Sequence, residues 1–155
     1  MTATEERNLA VIRAYFDASN AGNLDAMINA CAEDTRNHGR PVGRAGVALV
    51  LRDIHDTFPD HHWTVEEIAA IGDRVIIRLT ASGTHLGVAR LPINGGFLLG
   101  VAPTGKRYSV QQIHWFTLRD GLIIEHRANR DDVGMMVQLG LLPAPPRLAK
   151  APPNS

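Results

Sequence analysis

Apolar residues recur at helical spacing through the N-terminal part of the chain and at every second position from about residue 62, a pattern that predicts helices followed by strands. Leu9, Ile12, Tyr15 and Phe16 mark the first helical face, with Thr4 as its cap and Ala21-Gly22-Asn23 as its end. Asn23 or Asp25 opens a short second helix carrying Met27, Ile28 and Cys31. The polar run from Glu33 to Gly39 reads as a turn, and a third helix is expected from Arg44 to about Thr57, with Val47, Leu51 and Ile54 on one face. The period then changes. His62–Ile68 alternates, Gly72-Asp73 suits a tight turn, and Arg74–Gly83 alternates with Val75, Ile77, Leu79 and Ala81 on its apolar side. His85 continues that parity. Residues 86–105 are rich in Gly and Pro and predict a long flap or irregular edge. Asp131 or Asp132 starts a last helix bearing Val133, Met136, Val137 and Leu139, which Pro143 and Pro145 stop.

The hairpin from Val110 to Ala128 carries the chemistry. Arg119-Asp120-Gly121 suits a three-residue turn with a bulge at Gly121, which sets Leu118 opposite Leu122, Phe116 opposite Ile124, His114 opposite His126 and Gln112 opposite Ala128. One face of the pair is then apolar except for Gln112, His114 and His126. An unpaired buried polar group costs about 1–3 kcal/mol, so three together either satisfy one another or line a cavity. The cavity is the expectation taken here. Helices, then a strongly curved antiparallel or mixed sheet, then a helix make an α+β fold, a cone of sheet wrapped round the N-terminal helices. Such a mouth suits an oily ligand held by a few polar groups.

Composition narrows the partners. The 155 residues suffice for one domain, assigned to 1–142, with 143–155 a Pro-rich tail. Lys and Arg total 16, balancing 16 Asp and Glu without a basic cluster, which argues against nucleic acid. No apolar run approaches a membrane span or a secretory signal, and the lone Cys31 fits a reducing compartment, so a cytoplasmic location is expected.

Among the seven histidines, His114 and His126 are the candidates for moving a proton, because imidazole titrates near neutrality and two adjacent rings resist double protonation. Gln112 could hold a substrate carbonyl. Asn37 and His38 could reach over the mouth, although Asn-His-Gly also makes a good turn. Phe58, Trp63 and His85 are candidate pocket wall, and Asp131 is a candidate acid whose alternative role, shared with Asp132, is to cap the last helix. No His-Glu-x-x-His, Cys-x-x-Cys or glycine-rich phosphate loop is present, so neither a metal nor a nucleotide cofactor is expected.

Asn37-His38-Gly39, Phe58-Pro59-Asp60 with His62-Trp63, Gly83-Thr84-His85, Pro103-Thr104-Gly105-Lys106 and Arg119-Asp120-Gly121 through Glu125-His126 together resemble the SnoaL-like polyketide cyclases, or ester cyclases. The resemblance spans about residues 5–142. It implies the nuclear transport factor 2-like, cystatin-like α+β barrel, a homodimer or homotetramer, and no cofactor. It also implies intramolecular aldol condensation of a hydrophobic, oxygenated, polyketide-like ester. In that family a carboxylate on the last strand takes a proton alpha to a carbonyl, aided by Gln and His on the preceding strand. Gln112 and His114 match the pair, but the carboxylate position falls at Ala128. A hydratase, an epoxide hydrolase, a cofactor-free hydroxylase and a binding protein for a hydrophobic metabolite are the competing readings.

Overall fold

The computed structural model describes residues 1–146; the expected tail lies, from residue 147 on, outside the described residues. Three helices, α1 (Ala3–Asn20), α2 (Leu24–Asn29) and α3 (Gly43–Thr57), pack against a sheet of six strands. The strands are β1 (Cys31–Asn37), β2 (Arg40–Pro41), β3 (His62–Ile71), β4 (Arg74–Thr84), β5 (Arg107–Arg119) and β6 (Leu122–Arg130), and α4 (Asp132–Gln138) follows. Their order across the sheet is β2-β1-β6-β5-β4-β3, with β1 parallel to β6 and every other pair antiparallel. Ile12 and Phe16 of α1 meet Ile77, Leu79, Phe116 and Ile123 of the sheet in one core. The α+β expectation holds. Among the described residues, no helix is long and apolar enough to cross a membrane.

The cap of α1 is Thr2 rather than Thr4. Its hydroxyl accepts from Glu5 N at 3.2 Å while the Glu5 carboxylate accepts from Thr2 N at 2.8 Å, a reciprocal box that satisfies two free amides at once. The same carboxylate accepts from Gly72 N at 2.9 Å and ties α1 to the β3–β4 turn.

Residues 31–37 form a strand, against the expected helix end and polar turn. Only Cys31, Ala32 and Thr35 are buried there, so the alternation carries almost no hydrophobic signal. Ion pairs occupy its outward side chains instead, Asp34 with Arg119 at 2.9 Å and Glu33 with Arg44 at 2.6 Å. Long-range pairing with β6 decides its conformation, as strand propensity depends on context.

The hairpin turn is two residues long. Asp120 and Gly121 have φ of 54° and 80°, the left-handed pair that a type I′ turn requires, and Arg119 faces Leu122. A bulge then inserts Ile124. Leu118 faces Ile123, while beyond the bulge Phe116 faces His126, His114 faces Ala128 and Gln112 faces Arg130. The register expected from sequence was therefore two residues off beyond the bulge. Strand side chains alternate with period two, so that error left Gln112, His114 and His126 on the inner face but put Ile123, not Leu122 or Ile124, in the core beside Leu118.

Residues 86–106 are irregular, with one short turn at Asn94–Gly96 and a bridge from Ala89 to Leu99. Buried Asp53 of α3 holds the start of this segment, accepting from Arg90 N at 2.8 Å and Leu91 N at 3.2 Å.

Candidate active site

Three polar side chains on the inner sheet face form a hydrogen-bonded chain. His114 Nε2 lies 2.9 Å from Gln112 Oε1, and His114 Nδ1 lies 2.9 Å from His126 Nε2. An amide oxygen can only accept, so His114 Nε2 carries its proton, His114 Nδ1 accepts, and His126 Nε2 donates. That tautomer assignment leaves a lone pair on His126 Nδ1. Neither His126 Nδ1 nor Gln112 Nε2 has a protein partner among the described residues, so both ends of the chain remain available.

Aromatic rings enclose the chain. The His114 ring meets Phe16 and Trp63 edge-on at 5.8 and 5.3 Å and stacks on His126 at 5.1 Å, and the His126 ring stacks on Phe116 at 4.6 Å. Burial penalises an imidazolium, and a neighbouring cation adds to the penalty. His114 is accordingly held well below the usual histidine range, by burial first and His126 second. Burial, then His38 and Arg130, pushes His126 down to about 3. Both rings are neutral at pH 7.

Gln112 Oε1, both His114 nitrogens and His126 Nε2 satisfy one another, while the void beside Trp63 and Met27, which none of the three lines, is about 30 Å³, space for about one water. A cleft of about 430 Å³ opens elsewhere, between the end of α3 and residues 87–90, with His55, Asp56 and Arg90 on its walls.

The remaining candidates divide into two groups. Asn37 ends β1 beside His126, with its Oδ1 buried and without a partner. His38, at φ 50°, is exposed; its N–H donates to His126 O at 2.8 Å and its ring lies 6.2 Å from that of His126. Glu125 holds this turn by accepting from Gly39 N at 2.7 Å. Trp63 borders His114 and donates from Nε1 to Ser19 Oγ at 3.0 Å. Phe58 and His85 stand apart from the pair. They pack on each other at 5.7 Å, Phe58 also meets Tyr108 at 5.0 Å, and His85 Nδ1 accepts from Thr104 N at 3.2 Å. Both are core residues. Asp131 is also apart: it is exposed and caps α4, accepting from Gly134 N at 2.8 Å.

Sequence reasoning took Arg130 only as an ion-pair partner for Asp131 or Asp132, and it does pair with Asp132 at 3.6 Å; its place in the site was missed. It faces Gln112 across the hairpin and so shares the inner face, with its Nε buried and without a hydrogen bond. Burial raises the Asp132 carboxyl above the usual carboxylate range. The parity signal for Arg130 was present, but it ran past the expected strand end at Ala128.

A curved six-stranded sheet closed over N-terminal helices is the fold of the nuclear transport factor 2-like class of small α+β proteins. Within that class, the model of the SnoaL-like polyketide cyclases matches residues 9–139, and the chain belongs to this family. It is 29% identical over 141 residues to the aklanonic acid methyl ester cyclase AcmA of Streptomyces galilaeus, covering 85% of this chain and 90% of that one. It is 31% identical over 107 residues to the nogalonic acid methyl ester cyclase of Streptomyces nogalater, covering 68% of this chain and 73% of that one. The crystal structure of AclR from Streptomyces galilaeus, described as a candidate hydroxylase, superposes with a TM-score of 0.75 at 27% identity, covering 90% of this chain and 99% of that one.

Proposed function

We propose that this protein closes a ring in a polyketide-derived ester by an intramolecular aldol-type reaction, without cofactor or metal. The observation that carries the reading is the Gln112–His114–His126 chain, buried at Gln112 and His114, half-buried at His126, neutral and open at both ends. His126 Nδ1 takes the proton from a carbon flanked by carbonyls. The enolate carbon then bonds to a second carbonyl carbon, and the resulting alkoxide recovers the proton as a hydroxyl. Atoms balance without an oxidant or reductant.

A group titrating near 3 is a weak base at pH 7, so the anion must be well stabilised. Arg130 supplies a fixed cation, and Gln112 Nε2, with Asn37 beside His126, supplies polar contacts at the developing enolate. Preorganised groups of this kind are often the largest catalytic contribution. An enolate forming beside His126 also favours the imidazolium, which draws the proton across. Trp63 and Phe16 supply the oily wall beside His114. Asp131, Phe58 and His85 have no part in this reading.

The test is His114→Ala assayed for ring closure with a polyketide methyl ester. A positioned proton-transfer group contributes typically about 10²–10⁴ in rate, and a loss of that size is expected. Unchanged turnover removes the mechanism. Hydroxylation is the second reading, favoured by the methyl group of Ala128 where the family resemblance puts a carboxylate and by the likeness to AclR. It needs dioxygen as co-substrate, one atom entering the product and the other leaving as water with two further electrons from the substrate, and it predicts an oxygenated product without a new ring. A cytoplasmic homodimer or homotetramer remains part of the proposal. The outer sheet face supports the association alone, by leaving Ile113 at 50% and Trp115 at 39% exposure, and sedimentation velocity tests it.

A further inference from the structure

A further imidazole lies across Trp63 from His114. His61 stands just before β3, its ring 4.3 Å from that of Trp63, whose far neighbour is His114 at 5.3 Å. His61 Nδ1 lies 3.1 Å from the Tyr108 hydroxyl, while its Nε2 is buried without a partner. Together with Trp63, Met27 and Leu51, His61 lines the 30 Å³ void. Tyr108 is 3% exposed, and its hydroxyl has no other partner among the described residues.

A phenol is a ready donor, and donation from Tyr108 to Nδ1 puts the imidazole proton on Nε2. A buried N–H without an acceptor is unfavourable and calls for a partner. The void it borders is otherwise apolar apart from Ser19, whose hydroxyl accepts from Trp63, and His55. We propose that His61, oriented by Tyr108, is a substrate-binding donor that holds a carbonyl oxygen of the substrate on the side of Trp63 away from His114. This deepens the reading under Proposed function and rests on it. The ring stays neutral at working pH because burial pushes its titration down to about 4, so it donates as imidazole and not as a cation. Tyr108 touches no substrate and is a positioning residue.

Anthraquinone-2-sulfonate and anthracene-2-sulfonate share a shape and a charge and differ in two carbonyls, which makes them suitable probes. Fluorescence titration of the wild type is expected to favour the quinone. A neutral hydrogen bond is worth roughly a 3- to 10-fold preference. His61→Phe is expected to abolish that preference with anthracene-2-sulfonate binding unchanged, and His61→Gln, which keeps a donor near Nε2, to restore part of it. With a cyclising ester, His61→Phe should raise KM and spare kcat, opposite to His114→Ala. Long-range ¹⁵N–¹H spectra of the free protein should show His61 with its proton on Nε2 in the wild type. A proton on Nδ1, or equal losses for both probes in His61→Phe, overturns the inference while leaving the ring-closure reading standing. A wild type that binds neither probe and closes no ester removes both.

Discussion

His114 and His126 share a hydrogen bond of 2.9 Å although neither is the other's partner in the sheet. Ala128 sits opposite His114, and Phe116 opposite His126, so the two imidazoles meet along the diagonal. Diagonal neighbours lie about 7–8 Å apart at the backbone, within reach of ring side chains. The bulge at Ile124 sets this relationship by returning His126 to the inner face after Ile123 has taken its place in the core.

Deleting Ile124 should leave the site standing. Ile123 then still faces Leu118 and His126 still faces Phe116 in an unbroken ladder, so both side chains keep the inner face. Histidine NMR should show the His114–His126 coupling retained, with ring-closing turnover within a few-fold of the wild type. Loss of that coupling contradicts the register given to the bulge.

Acid should destabilise the protein earlier than its ion pairs explain. His114 and His126 titrate far below the roughly 6.5 expected of the unfolded chain, the latter at about 3. The unfolded state then binds more protons, so stability is complete above about pH 6.5 and is lost as pH falls toward 3. Each such histidine adds a slope of up to about 1.4 kcal/mol per pH unit. Carboxylates held low by partners, Asp34 by Arg119 and Glu67 by Arg78, act in the same direction only below about pH 5. Urea midpoints between pH 7 and 5 isolate the histidines, and the slope there should shrink in a His114→Gln, His126→Gln double variant.

Ala128→Asp places a carboxylate opposite His114. An opposite charge nearby favours the imidazolium and should raise the histidine titrations by about 1–3 pH units, read by NMR. A stronger base follows, and ring closure should be at least as fast as in the wild type. If closure slows while the titrations rise as expected, the aldol reading is weakened in favour of hydroxylation.

Asp131→Ala should cost about 0.5–2 kcal/mol through the lost cap of α4, measured as a lower Tm, with turnover retained. Its carboxylate is spent on Gly134 N, and its side chain is exposed. A large fall in kcat at unchanged stability would return Asp131 to the chemistry.

Much of the fold was legible because long segments carry strong periods. The alternation of Val75, Ile77, Leu79 and Ala81 names the inner face of β4 without knowledge of its neighbours, and all four are fully buried. The inward placement of Gln112, His114 and His126 was legible for the same reason, and it survived a register error because that error was even. Phe58 and His85 were apolar or on apolar parity as well, yet parity says only that a side chain points inward, not which others it meets. The inward place of Arg130, and His61 altogether, escaped notice because each lay just outside a strand end drawn from sequence.

What the order of residues determined alone was the class of each strong element, the face it buries and the family signature spread along it. These are local quantities, set by backbone geometry and the spacing of apolar side chains. Tertiary structure decided the conformation of residues 31–37, the two-residue turn with its bulge, and the joining of Gln112, His114 and His126 into one hydrogen-bonded chain. Each of those depends on strand pairing or on side chains far apart in sequence, and no local period encodes such contacts.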